Sequence, residues 1–120
     1  MRTVLLGVSL GLALVASGYA QAEVYKPGSG VTSPVLVREV KPKYTKAAMD
    51  RKVQGQVEMD CVVQTDGTVR DDVKVTQSLD EDLDQQAIIA LKQWQFRPGT
   101  KDGTAVNVRV NVEMTFTLRK

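Results

Sequence analysis

The chain contains no histidine at all. That removes the imidazole base, the Ser-His-Asp relay and every histidine-ligated metal from consideration. It contains a single cysteine, Cys61, so no internal disulfide can form. A domain of this size must then be held by its apolar core. An excess of one charge sign is also missing, with 16 basic and 14 acidic side chains. Such a balance gives no electrostatic case for nucleic acid or a membrane surface as partner. The acidic cluster Asp80-Glu81-Asp82-x-Asp84 lacks the glycine and the distant glutamate of a calcium loop. Negative charge at a helix start accounts for it. Asp71 and Asp72 are neighbours on a strand, where successive side chains point to opposite faces, so they do not converge. Neither an enzyme nor a cofactor or metal site is expected.

The 120 residues suffice for one domain and one modest core. Residues 1–22 stand apart. Met1-Arg2 gives a positive start, no charge follows from Thr3 to Ala22, and Val4 to Val15 is strongly apolar. Ala20-Gln21-Ala22 fits the A-x-A cleavage pattern, so 1–22 reads as a signal peptide cut before Glu23. The alternative is an uncleaved anchor, because a bilayer span needs roughly 20 residues. Residues 23–34, "EVYKPGSGVTSP", are rich in glycine, proline and serine and read as a flexible lead-in. Residues 35–120 form the expected domain.

Val35–Val40 alternates and suits a short extended segment. Thr45 is the expected N-cap of a helix of about two turns that ends near Gly55. From Gln56 the period becomes two, with Val57, Met59, Cys61 and Val63 on one face of a half-buried strand. Asp66-Gly67 is a hairpin signal, expected as a two-residue turn with positive φ at both positions. The return strand carries Val69, Val73 and Val75. Ser78-x-x-Glu81 is read as a capping box opening a helix that runs to Phe96, with Pro98 disfavouring helix at Arg97. Leu83, Ala87, Ala90, Leu91 and Trp94 form its buried stripe, and Asp102-Gly103 turns the chain. The final strand is the most regular element: Val106, Val108, Val110, Val112, Met114, Phe116 and Leu118 alternate against Asn107, Arg109, Asn111, Glu113, Thr115 and Thr117. The fold class is therefore α+β, a three-stranded antiparallel sheet packed on two helices.

Three strands leave two unpaired edges. The last strand is long and proline-free, so its edge can accept an extended peptide as an added strand. The residues expected to offer that edge are Val106, Asn107, Val108, Arg109, Val110, Asn111, Val112, Glu113 and Met114. The same edge could instead pair with a second copy, giving a homodimer, or be guarded by Arg109 and Glu113.

From Lys41 to Leu118 the order of signals resembles the C-terminal domain of the TonB family, energy transducers of the Gram-negative periplasm. The matching residues are Tyr44 before a short helix, Gly55 at a strand start, Asp66 and Gly67 in the hairpin, Leu83-Asp84 on the second helix, and Trp94, Phe96 and Pro98 after it. The resemblance implies a periplasmic domain that binds the TonB box, an extended segment of outer-membrane receptors, along the last strand. Another periplasmic protein is the alternative partner. The family's transducers also resemble a chain with a histidine-bearing membrane anchor and a long proline-rich spacer. Here no histidine exists and the spacer shrinks to residues 23–34. A stand-alone exported domain is thus set beside an anchored transducer and a self-associating module.

Overall fold

The computed structural model describes residues 23–118, so the expected signal peptide lies outside the described residues. Its elements are β1 (Val24–Tyr25), β2 (Val35–Arg38), α1 (Lys46–Asp50), β3 (Gly55–Val63), β4 (Lys74–Gln77), α2 (Glu81–Leu91), β5 (Gln95–Arg97), β6 (Thr100–Lys101), β7 (Thr104–Ala105) and β8 (Asn107–Phe116). The main sheet has the order β1-β8-β3-β4. Strands β3, β4 and β8 are the three expected antiparallel strands. The fourth, β1, joins the outer side of β8 in parallel. Within the expected lead-in, backbone groups find partners on β8 and on Thr100.

Helices and sheet share one core. Val57, Met59 and Cys61 of β3 and Met114 and Phe116 of β8 meet Leu83, Ala87, Ala90 and Leu91 of α2, with Ala48 of α1 and Trp94 closing the cluster. Full burial of leucines such as Leu83 and Leu91 stabilises the fold by about 1.5–3 kcal/mol each. Thr45 caps α1 as expected, its Oγ1 accepting from the Ala48 amide at 3.2 Å.

The start of α2 differs from the expected capping box. Asp80 is the N-cap and accepts from the Leu83 amide at 3.2 Å. Ser78 hydroxyl instead donates to Asp84, whose carboxylate also accepts from the amides of Leu79 and Asp80. The choice is tertiary: Arg51, just beyond α1, donates to Asp80 at 2.8 Å and lies 3.6 Å from Asp82. That hydrogen bond holds the Asp80 carboxyl below the usual carboxylate range. The helix also stops earlier than expected. Lys92 is the C-cap, and Gln95–Arg97 turns extended to pair with Val35–Arg38.

The two Asp-Gly pairs make different turns. At Asp102-Gly103 both residues have positive φ, 51° and 81°, between the paired Lys101 and Thr104. This is the two-residue hairpin turn. At Asp66-Gly67 only Gly67 is left-handed, at φ 87°. Gly67 donates to the Gln64 carbonyl and Gln64 to the Thr68 carbonyl, which is a three-residue loop with a glycine bulge. Gly67 also lies under β5: a Cβ there would sit 2.0 Å from the Phe96 carbonyl oxygen. At Gly103 nothing lies within 4 Å of such an atom.

Two outcomes follow from these contacts. Gly67→Ala combines φ strain with a backbone collision and should destabilise by roughly 2–4 kcal/mol, whereas Gly103→Ala, strained in φ alone, should lose about 1 kcal/mol. Urea unfolding of both variants checks this, and equal losses would contradict the close approach of Phe96. The second concerns Cys61, which is 1% exposed. Burial, with a smaller push from Asp60, raises its thiol to about 11. A raised folded pKa favours the neutral thiol, so its stabilising contribution is full below about 9 and is lost as pH rises toward 11. A thiol reagent at pH 8 should leave the folded protein unlabelled and label it promptly in urea; fast native labelling would refute the burial argument.

Candidate functional site

A strand has two hydrogen-bonding edges, and β8 uses them unequally. Its inner edge is filled by β3, from Phe116 opposite Gly55 to Val108 opposite Val63. Its outer edge meets β1 only at Asn107 and Val108, opposite Val24 and Tyr25. Among the described residues no strand pairs with the outer edge from Arg109 to Phe116. That open stretch is longer than the usual strand of about five or six residues.

Beside the open edge runs a groove of about 390 Å³, lined by Glu39, Lys41, Pro42, Tyr44, Trp94 and residues 113–117. Its wall, the segment from Glu39 to Tyr44, is held in place by two aromatic side chains. Trp94 Nε1 donates to the Val40 carbonyl at 2.8 Å. The Tyr44 ring meets Phe116 edge-on at 5.4 Å, and its hydroxyl donates to the Val53 carbonyl. A second depression, about 490 Å³, is lined by residues 40–43 and by Gln86, Ile89, Ala90 and Gln93. It includes no residue of β8, so the groove along the strand is the candidate site.

The sequence-derived edge residues fall into two groups. Arg109, Asn111 and Glu113 are exposed, Val110 and Val112 are half-buried, and Met114 is buried against the helices, all on the open stretch. Asn107 and Val108 lie beneath β1, and Val106 precedes the strand, its amide bonded to the Gly99 carbonyl. The expected open edge is corrected there, because the lead-in supplies a strand. Asn111 reaches over to β3, donating to Asp60 Oδ1 at 3.0 Å.

The motif residues sit around the edge. Tyr44 and Trp94 brace the groove wall. Gly55 opens β3 against Leu79. Asp66 accepts from the amide and hydroxyl of Thr68, which holds its carboxyl below the usual range. Phe96 lies on β5, 6.1 Å from Trp94, and Pro98 follows it. Sequence reasoning missed Glu39, Lys41 and Pro42 as wall residues and Val24-Tyr25 as a strand. Pro42 had a signal, a proline fixed two residues before Tyr44; the other residues carried none.

Among the described residues no three His, Cys, Asp or Glu side chains gather to hold a metal, and no helix is long and apolar enough to cross a membrane. What the site offers is backbone donors and acceptors beside a shaped groove.

The model of the Gram-negative bacterial TonB protein C-terminal matches residues 40–118. Protein TonB of Vibrio cholerae serotype O1 is 34% identical over 89 residues, covering 73% of this chain and 36% of that protein. Protein TonB of Xanthomonas campestris pv. campestris is 35% identical over 77 residues, covering 64% of this chain and 34% of that protein. The chain therefore spans about a third of the length of these curated relatives. The solution NMR structure of the Pseudomonas aeruginosa TonB CTD shares the fold, with a TM-score of 0.60 at 24% identity, over 78% of this chain and 91% of that one. On the match across residues 40–118, the chain belongs to the family of Gram-negative bacterial TonB protein C-terminal domains.

Proposed function

We propose that the chain is a periplasmic protein-binding domain acting in TonB-dependent transport across the cell envelope. Its ligand is an extended peptide, the TonB box of an outer-membrane receptor. The peptide adds as a strand to the outer edge of β8 between Arg109 and Thr117. One observation carries this reading: the same edge already accepts a strand, β1, at Asn107 and Val108. Backbone bonds supply affinity in such pairing, and side-chain pockets supply selectivity. Here the groove between residues 113–117 and the Glu39–Tyr44 segment would receive alternate side chains of the peptide. The chain works as an exported domain, with residues 1–22 removed.

Both parts have a direct test. Titrating a capped TonB-box peptide into isotope-labelled protein should shift the amides of residues 109–117 and of Lys41, Lys43 and Tyr44. Amides left unmoved at peptide excess would overturn the edge-pairing reading. Methylating the peptide nitrogens that face β8 should weaken binding by about tenfold per lost bond. A methylated peptide of unchanged affinity would show that side chains alone do the work. For the exported state, an intact mass corresponding to residues 23–120 is expected, and a retained N-terminal segment would favour the anchored transducer.

A further inference from the structure

We infer that residues 23–32 of the lead-in form an intramolecular cap on the peptide-binding edge, restricting the open site to Arg109–Thr117 until a partner displaces it. This rests on the edge-pairing reading above and concerns its regulation. The cap is fastened at two points. At the first, Val24 and Tyr25 pair with Asn107 and Val108. Asn107 clamps this junction, its Oδ1 accepting from the Thr65 amide at 3.2 Å and its Nδ2 donating to the Glu23 carbonyl at 3.4 Å. Lys101 Nζ lies 4.8 Å above the Tyr25 ring, a favourable cation–π placement. At the second point the Thr32 amide donates to the Thr100 carbonyl at 2.8 Å, and the Thr100 amide to Thr32 Oγ1 at 2.8 Å. The crossing there is tight. A Cβ at Gly99 would sit 2.4 Å from the Thr32 carbonyl oxygen and 2.7 Å from a Val108 methyl.

The fastening is nonetheless light. No residue from 23 to 32 belongs to the core cluster, and none of them is buried. Segments with few buried contacts open at low free-energy cost. The tether compensates, because a strand joined by a short linker is present at an effective concentration in the millimolar range. Such a cap excludes weak or unspecific strands from Asn107 and Val108, and yields to a peptide that forms a longer run of pairs. It also shields part of an edge that would otherwise pair with other chains.

The test uses the full chain with Val24→Pro and Tyr25→Pro together, which strips β1 of its backbone N–H groups and so breaks its pairing with β8. Calorimetric titration with the capped TonB-box peptide should give about three- to tenfold tighter binding than the unsubstituted protein, the equivalent of one weak-to-moderate hydrogen bond. Amide shifts should extend to Asn107 and Val108. Lys101→Ala, which loosens the cap from outside it, should change affinity in the same direction and less, and it decides the matter if the double variant fails to fold. Equal affinity with the shifts still confined to residues 109–117 would overturn the cap while leaving the edge site standing. Binding by neither protein would overturn both.

Discussion

Every residue of β3 from Gly55 to Val63 has a partner on β8, and this pairing governs the rest of the molecule. Its register is locked by burial. Val57, Met59 and Cys61 alternate into the core from one strand, and Met114 and Phe116 from the other. A slip of one position would turn the whole apolar set of a strand toward water. Because the ladder occupies only the inner edge of β8, the same pairing that secures the core also presents a row of backbone groups outward. The candidate site is thus a by-product of how the core is closed.

The two ends of the main sheet are managed differently. On one side β4 is short, running only from Lys74 to Gln77, and carries a lysine at its start. Shortness and charge both discourage pairing with another chain. On the other side β8 runs ten residues, and only its first positions are met by β1. A long edge left open next to a shaped groove is what a strand-accepting surface requires. The asymmetry favours β8 over β4 as the candidate site.

Elements with a local period were legible in the sequence. The alternation of β8, the Val57–Met59–Cys61 face of β3 and the Leu83–Trp94 stripe all depend on near neighbours, and the structure buries these side chains except Val106, Val110, Val112 and Leu118, which are half-buried. The features that were not legible are decided across the chain. Ser78 and Asp80 are both good caps, and Arg51, distant in sequence, ties down Asp80. Helical spacing from Leu91 to Trp94 persists, yet Gln95–Arg97 leaves the helix because Val35–Arg38 offers it a ladder. Two Asp-Gly pairs look alike, and only the Phe96 backbone over Gly67 separates their turns. Tyr25 sits in a glycine- and proline-rich stretch with no period, so its place on β8 had no local signature. The long strand β8 was therefore readable, while the extent of its open edge was not.

The residues that mark the family now have a mechanical role. Trp94 is 9% exposed and Phe116 3%, so their rings present little surface to a ligand. They act on the groove indirectly. The Trp94 indole holds the Val40 carbonyl, and the Tyr44 ring rests on Phe116 while its hydroxyl holds Val53. These contacts fix the Glu39–Tyr44 wall at a set distance from β8, with Pro42 stiffening the backbone between them. A wall fixed in this way need not be ordered when a ligand arrives, so the entropy cost of association falls mainly on the peptide and the cap. Weak backbone pairing along a short strand can then suffice for recognition. On this argument the aromatics set the width of the candidate site, and the bare edge of β8 is the surface proposed to make the contact.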